Sequence, residues 1–183
     1  MAWTAPMTAV ANAVFTAAQF NTHVRDNFLE TAPGKATTAG SFFAATAANA
    51  IEERLPTSAE IQTNESTTNT TNFVDLTTVG PSVTVTCGVK ALVLFRADTV
   101  ANLQSGVAGI SYDLSGANTS AAAFGNGKSA QLEGTFAAAD KSTITGLDML
   151  TGLTPGSNTF KMQYRAFTSG ANWENRCITV IPF

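Results

Sequence analysis

The chain has 183 residues, of which 44% are hydrophobic and only 13% are charged, and its formal net charge is -3 at pH 7. This length allows one domain with a substantial core plus an appendage, and it disfavours two domains of comparable size. The 10 Lys and Arg residues argue against nucleic acid as a partner, because phosphate contacts need clustered cations. Because no run of about twenty apolar residues occurs, we expect no membrane insertion.

Residues 1–34 are predicted to be a helical segment. Thr16 is followed three residues later by Gln19, which is the capping-box spacing that begins a helix. Pro33 and Gly34 are expected to end the helix. Four apolar residues share one face of it at helical spacing, namely Ala17, Phe20, Val24 and Phe28.

The apolar face of this helix requires a partner. A helix of about fifteen residues is marginal alone in water, so the face must pack against the rest of the chain, copies of itself or a larger body. Trp3 precedes the helix on a stretch with little else to pack against, which adds to the indication of assembly. We therefore predict an oligomer or attachment interface that contains Trp3, Phe20, Val24 and Phe28.

Residues 35–72 differ in composition and are predicted to connect the helical segment to the rest of the chain. Their second half, TSAEIQTNESTTNTTN, is dominated by Thr, Asn, Ser and Glu. Such a stretch cannot build a hydrophobic core, so it is predicted to be a linker, an exposed loop or a sheet edge.

Residues 73–183 are predicted to form an antiparallel β-sandwich or a jelly roll. Val83, Val85 and Cys87 alternate with threonines, and TFKMQYRAF alternates apolar with polar residues. Gly88, where the phase of the pattern changes, suggests a β-bulge. Turn-forming stretches such as LTPGSN and FGNGK separate the strands. The predicted fold class is therefore mainly β with an N-terminal α segment.

The cysteines and the histidine provide no metal site. Cys87 and Cys177 lie in predicted strands near opposite ends of the β domain, and we interpret them as buried thiols. A bridge between them requires that their Cβ atoms lie close together. Two cysteines and one distant histidine, His23, are too few ligands for a metal site, so we predict no metal and no cofactor.

The sequence offers no catalytic arrangement either. His23 is the only histidine, and it lies on the predicted helix outside the β domain, away from any Ser, Thr or Cys nucleophile there. Scattered carboxylates, Glu174 among them, leave a glycan-degrading enzyme as a minor alternative, because no local motif pairs them. We predict a protein that is not an enzyme and has no catalytic residues.

Trp173 lies between Gly- and Asn-rich neighbours in SGANWENR. An aromatic ring on such a loop can stack on a sugar, and Asn172 and Glu174 can form hydrogen bonds with sugar hydroxyls. The other interpretation is that Trp173 covers the end of the core and that Arg176 pairs with an acid. Both interpretations stay open at this point.

The N-terminal segment resembles a known family. WTAPMTAVANAVFTAAQFNTHVRDNF is similar to the start of many minor tail and tail-fibre-like proteins of bacteriophages that infect actinobacteria. That pattern has a Trp-Thr start and a Thr-Ala helix opening, then Asn, a short spacer and Val/Leu-Arg-Asp-Asn. The matching residues here are Trp3, Thr4, Pro6, Thr16, Ala17, Asn21, Val24, Arg25, Asp26 and Asn27.

Two further stretches extend the resemblance. GSFFAATAANAIEERLP is similar to a segment that often follows in those proteins, although this chain continues with TSAEIQTN where the family pattern has glycines. The C-terminal LTPGSNTFKMQYRAFTSGANWENRCITVIPF looks like the closing strands of β-sandwich modules in phage virion proteins. A Pro-Gly turn, an alternating strand and an Arg-x-Ile-x-Val-x-Pro ending are the shared features.

The resemblance implies a structural protein of a siphovirus-type virion. It implies a homotrimer with an N-terminal attachment segment and a distal β-sandwich knob, whose partners are other virion proteins. The sugar-binding interpretation of Trp173 adds a host cell-surface glycan as a partner. Because the N-terminus lacks the cationic start of a secretion signal, we expect synthesis in the host cytoplasm without a signal peptide. A capsid-decoration or head-fibre protein of the same build is the alternative to a tail protein.

Overall fold

A computed structural model describes residues 4–8, 10–67, 70–101, 106–125, 127–134, 140–167 and 170–183. The chain divides into two compact units, Met1–Leu55 with Phe183 and Pro56–Pro182. Trp3, which is predicted to belong to the attachment interface, lies outside the described residues. Within the described ranges, no helix has the length and the apolar character needed to cross a membrane.

The helical part of the first unit begins directly after the predicted cap Thr16, but the predicted helical segment over residues 1–34 is too long, because residues 4–8 and 10–16 are not helical. Its elements are α1 (Ala17–Phe20), a π-helical turn (Asn21–Arg25), α2 (Asp26–Leu29) and α3 (Ala32–Lys35). Thr16 and Gln19 form both hydrogen bonds of the predicted capping box. The Gln19 N–H donates to Thr16 Oγ1 at 3.2 Å, and the Thr16 N–H donates to Gln19 Oε1 at 2.9 Å.

The predicted end of the helix is wrong. The continuous helical stretch ends at Leu29, and Pro33 and Gly34 lie within α3 instead of following one long helix. Proline is accepted there because the N–H groups in the first turn of a helix have no acceptor within the helix, so no hydrogen bond is lost.

A β-hairpin completes the first unit, with β1 (Phe42–Ala47) antiparallel to β2 (Ala50–Arg54). Glu53 accepts a hydrogen bond from the Ser41 hydroxyl at 2.6 Å and others from the N–H and hydroxyl of Thr37. These hydrogen bonds, with the Ser41 hydroxyl first among them, lower the pKa of Glu53 to about 2. The carboxylate of Glu53 therefore fastens the hairpin to the chain that precedes it.

The second unit consists of strands in two sheets. In chain order the strands are β3 (Thr57–Ile61), β4 (Glu65–Thr67), β5 (Ser82–Cys87), β6 (Lys90–Ala101), β7 (Gly106–Gly116), β8 (Ser129–Gly134), β9 (Asp140–Thr151), β10 (Gly156–Phe167) and β11 (Ala171–Pro182). The four-stranded sheet has the order β5-β10-β7-β8. The five-stranded sheet has the order β3-β11-β6-β9, with β4 also paired to β11.

The core lies between these two sheets and confirms the predicted antiparallel β-sandwich. Inward-facing side chains alternate with outward-facing ones along β5 and β10, as the period-two pattern predicts. Phe95 on β6 and Tyr112 on β7 meet across the two sheets with ring centroids 5.5 Å apart. The Tyr112 hydroxyl also donates a buried hydrogen bond to Asp148 Oδ2 on β9 at 2.6 Å.

Residues 35–72 are more than a connecting segment. They contain β1 and β2 of the first unit and also β3 and β4 of the sandwich. Of the three predicted interpretations, the sheet edge is correct for β3, which pairs with β11 at the end of the strand order. An edge strand tolerates this composition because its backbone hydrogen bonds, rather than apolar side chains, attach it to the sheet.

The predicted bulge at Gly88 is also wrong. Gly88 lies between β5 and β6, and these strands belong to different sheets. The change of phase in the sequence therefore marks the corner at which the chain crosses from one sheet to the other.

The two cysteines are thiols in different sheets. Cys87 is buried at the end of β5, as predicted. Cys177 is only half-buried, because it points away from the core between the buried residues Arg176 and Ile178.

Candidate functional site

The apolar face of the N-terminal helix is exposed. Phe20 is 48% exposed and Phe28 is 68% exposed, while Val24 is half-buried. The Phe20 ring packs edge-on against Phe15, with ring centroids 6.2 Å apart. The stripe that the sequence predicts thus presents two phenylalanine rings to solvent.

The same helix also holds the residues that precede it. Asn27 is 4% exposed, and its Oδ1 accepts a hydrogen bond from the Thr4 N–H at 2.9 Å. Its Nδ2 donates to the Thr4 carbonyl oxygen at 3.0 Å, and His23 Nδ1 lies 3.2 Å from the Ala5 carbonyl oxygen. His23 and Asn27 therefore position backbone, which is a structural role rather than proton transfer.

An apolar hollow of about 450 Å³ lies between the helix and the residues that precede it. Side chains that line it include Met7, Val10, Val14, Phe15 and Val24. Because Val10 and Val14 are themselves largely exposed, the hollow extends the apolar surface that begins with Phe20 and Phe28.

Trp173 does not lie on an exposed loop. It belongs to β11 and is 0% exposed, its ring lies 5.3 Å from that of Tyr164, and its indole N–H donates to Thr67 Oγ1 at 3.4 Å. Asn172 and Glu174 point to the opposite side of the strand, and Glu174 pairs with Lys141 at 2.5 Å. The predicted glycan contact is therefore wrong at Trp173, because a buried ring cannot stack on a sugar.

The side chain of Arg176 is buried and faces the core because the strand is irregular at this point. The register of β11 against β6 shifts between Glu174 and Cys177, and Asn175 there has a φ of 47°. The Arg176 guanidinium donates to the Thr78 carbonyl oxygen at 3.2 Å and lies 3.8 Å from Glu65 Oε2. Arg176 thus pairs with an acid, as one interpretation of the sequence expects, and it fastens surrounding chain to the sandwich.

The outer face of the five-stranded sheet carries an apolar patch that the sequence analysis did not identify. Leu147 is 61% exposed and Met149 is 49% exposed on β9. Leu94 and Leu92 lie directly opposite them on β6, and Leu92 pairs in turn with Ile181 on β11. We call these five side chains the aliphatic patch, and exposed patches of this kind mark surfaces that contact other molecules.

The outer face of the four-stranded sheet carries a hollow of about 440 Å³ that mixes apolar residues, Leu114 and Ala121, with polar ones, and we call it the polar hollow after its Ser, Thr, Asp and Lys side chains. Its lining includes Ser82, Asp113, Ser115, Thr119, Thr159 and Lys161. Lys161 Nζ lies 2.9 Å from Asp75 Oδ2 and 3.8 Å from Asp113 Oδ2, so two carboxylates compensate its charge. Asp113 Oδ1 also accepts a hydrogen bond from the Ala122 N–H at 2.7 Å, which holds the wall of the hollow in place.

Phenylalanine rings lie farther along the same face. Phe124 packs against Phe73 with ring centroids 4.8 Å apart, and the Arg165 guanidinium lies 4.0 Å from the centre of the Phe124 ring. Gly109 leaves room for this ring, because a Cβ at position 109 would lie 3.2 Å from Phe124 Cζ. We call the pair Phe73 and Phe124 the aromatic ridge.

No group of three or more His, Cys, Asp or Glu side chains that could hold a metal ion occurs within the described ranges. The described residues form a β-sandwich and a helical unit, and their exposed surfaces include the apolar helix face, the aliphatic patch and the polar hollow.

No protein-family model and no curated protein matches the chain. Among solved structures, the chain is similar to one in the structure of the Gx strain of infectious bursal disease virus, with a TM-score of 0.44 and 11% identity over 72% of this chain. A chain in the structure of the Gt strain gives a TM-score of 0.41 and 10% identity, also over 72% of this chain. The match covers 34% and 33% of those viral chains.

Proposed function

We propose that this chain is a non-enzymatic structural protein of a bacteriophage virion, of the minor tail or fibre-like type. The N-terminal helical unit attaches it and brings three copies together, and the sandwich is displayed towards the host surface. The observation that carries the proposal is the exposure of Phe20 and Phe28 on a helix that already binds the preceding residues through Asn27. The resemblance of this same segment to phage minor tail proteins supports it.

The apolar area on the helix is of the right order for assembly. Burying the exposed part of one phenylalanine contributes about 1 to 2 kcal/mol, so two rings in each of three copies contribute on the order of 10 kcal/mol. Each association costs an estimated 4 to 15 kcal/mol in lost translational and rotational freedom, and a trimer incurs this cost twice. The rings alone therefore offset only the lower end of the cost, and the apolar hollow beside them supplies further surface for burial.

Light scattering of the purified full-length chain tests the trimer. We expect three times the monomer mass for the wild type, and the monomer mass for the double variant Phe20→Ser and Phe28→Ser. The matched control is Leu147→Ser, which makes a similar change on the aliphatic patch and should leave the trimer intact. A monomeric wild type with a folded helix, or a trimer that only Leu147→Ser disrupts, contradicts assembly through the helix.

Gold-labelled antibodies on intact phage particles test the location. Label on the tail supports the proposal as stated. Label on the capsid contradicts the tail assignment and supports the decoration or head-fibre alternative, whereas particles without label and without this chain in their protein content contradict a virion role.

A further inference from the structure

We propose that the outer face of the four-stranded sheet binds a neutral oligosaccharide, which occupies the polar hollow and extends along β10 towards the aromatic ridge. This deepens the proposed function, on which its biological setting rests. It also moves the glycan contact away from Trp173, which is buried, to a different face of the sandwich.

The hollow has the chemistry that sugar hydroxyls need. Each sugar hydroxyl both donates and accepts, and so do the hydroxyls of Ser82 and Ser115 that line the hollow. The Thr159 hydroxyl, which lies 2.7 Å from the Thr84 hydroxyl, can form a further hydrogen bond besides that one. Asp113 adds an acceptor and Lys161 adds a donor, so the lining offers every kind of partner within one concavity. A volume of about 440 Å³ falls in the lower part of the range for small-ligand pockets, about 300–1,000 Å³.

The charge balance of the hollow favours a neutral ligand over an anionic one. Lys161 is the lysine that lines it, and Asp75 and Asp113 both lie within 4 Å of its ammonium group at 2.9 and 3.8 Å. A phosphate or carboxylate ligand would have to compete with these two carboxylates. An apolar ligand would cover the hydroxyls of Ser82 and Ser115 without offering them hydrogen bonds, which is unfavourable when they are buried.

The position of the hollow disfavours a peptide that adds a strand. Such recognition needs an open sheet edge, whose backbone groups are unpaired. The hollow lies over β10 and β7, and β10 is already paired with β5 on one side and with β7 on the other. A ligand on this face therefore meets side chains rather than backbone.

The aromatic ridge indicates that the ligand has more than one sugar ring. Asp113 pairs with Lys161, and Gly109, which lies under Phe124, pairs with Arg165. These two pairs are four residues apart along the strands, which is about 13 Å at the rise of an antiparallel strand. Phe124 is partly exposed at that distance, and the part of its ring that Arg165 does not cover can contact the C–H groups of a sugar ring.

A printed array of neutral and acidic oligosaccharides, probed with the labelled full-length protein, tests the ligand class. Titration calorimetry with the best-bound saccharide then compares variants of similar shape. Thr159→Val removes a hydroxyl from the hollow, and Asp113→Asn removes a negative charge and one acceptor oxygen. Each variant is expected to raise the Kd for the saccharide about tenfold or more. Thr145→Val is the matched control, because it makes the same change at an exposed position on β9 in the other sheet.

Circular dichroism and the midpoint of thermal unfolding must match the wild type for each variant that enters the comparison. Three results would overturn the inference: no saccharide binds above background, acidic saccharides are preferred, or the hollow variants bind no more weakly than Thr145→Val. Labelling of virions separates the two proposals. A protein present on virions that binds no saccharide defeats this inference alone, whereas saccharide binding in the hollow by a protein absent from virions defeats the proposed function alone.

Discussion

Gly146 on β9 gives a prediction in which two physical effects have opposite signs. Glycine in a strand is less favourable than alanine by about 0.5–1 kcal/mol, so Gly146→Ala would stabilise the protein if nothing opposed the added methyl group. However, three carbons of the Phe95 ring lie 2.2, 2.4 and 2.8 Å from the position that the new Cβ would take. Ordinary contacts begin at 3.4 Å, so the ring or the strand must move by at least 1 Å.

The packing around Phe95 determines how much Gly146→Ala destabilises the protein. Phe95 is almost completely buried, and its ring contacts that of Tyr112 at a centroid distance of 5.5 Å, so the ring has no free space into which to move. Overpacking of a core usually costs 1–3 kcal/mol, and because three atoms clash we expect about 3 kcal/mol of destabilisation. Urea unfolding followed by circular dichroism measures it, and the slope of the transition should stay unchanged.

A second substitution tests whether the clash with the Phe95 ring causes the destabilisation by Gly146→Ala. Phe95→Leu removes the ring carbons that the methyl group meets and is expected to cost about 1–2 kcal/mol by itself, less than the 3–5 kcal/mol of a full truncation to alanine. In the double variant the methyl group occupies part of the vacated space, so the cost should fall below the sum of the single costs by at least about 1.5 kcal/mol. A neutral or stabilising Gly146→Ala, or strictly additive costs, would refute the clash.

Three further predictions concern polar contacts. Tyr112→Phe leaves the buried Asp148 Oδ2 without its donor and should lower the free energy of unfolding, measured with urea, by about 1–3 kcal/mol. A decrease below about 0.5 kcal/mol would contradict a stabilising role for this hydrogen bond. Thr16→Ala removes the capping box and should cost about 1 kcal/mol of helix stability, seen as a weaker helical dichroism signal that Thr16→Asp restores. Glu53 has a pKa of about 2, below its ordinary value of 4.5, so its stabilisation is complete above about pH 4.5 and is lost as the pH falls towards 2. A carboxyl titration followed by NMR should show this low midpoint, which Ser41→Ala should raise, and an unchanged midpoint in that variant would contradict the assigned cause.

The strands that alternate strictly were predictable because their pattern contains the whole of the necessary information. In β10, Phe160, Met162 and Tyr164 all point into the core, as the period of two requires. The capping box at Thr16 was predictable for the same reason, since both hydrogen bonds lie within one turn of chain. Sequence patterns thus predict a structure well when the residues that form it are close together in the chain.

Trp173 shows where such a rule fails. Counting back by two from the buried Ile178 gives Arg176, Glu174 and Asn172 as inward-facing residues. The register shift around Asn175 changes this parity, so that Arg176 and Trp173 both face the core and Glu174 faces out. An arginine at a position that the pattern places in the core indicated that this part of the strand is unusual, because a charge is buried only where it has partners. The partners of Arg176 are the Thr78 carbonyl oxygen and Glu65. Those partners are about a hundred residues away in sequence.

The aliphatic patch could not be predicted from the sequence, for a different reason. The apolar run over β6 shows that both sides of this strand are apolar, but a run of this kind is equally typical of a strand buried on both faces. That one side stays exposed follows from the strand order, in which Leu147 and Met149 on the edge strand β9 extend the outer apolar surface instead of covering it. Exposure is a property of the assembled sheet rather than of any one segment.

The two outer faces of the sandwich differ in a way that allows contact with a partner protein at one face and ligand binding at the other to proceed independently. The five-stranded sheet presents Leu147 and Met149, whereas the four-stranded sheet, on the opposite side of the core, presents Lys161 and Asp113 with the surrounding hydroxyls. A partner that covers the aliphatic patch therefore leaves the polar hollow accessible to solvent. Because distant sites with no shared contacts have additive effects, Leu147→Ser should not change saccharide affinity, and Thr159→Val should not change the oligomeric mass. Coupling between these two measurements would mean that one surface forms only when the other is occupied, and the sandwich would then have to be treated as a single bistable unit.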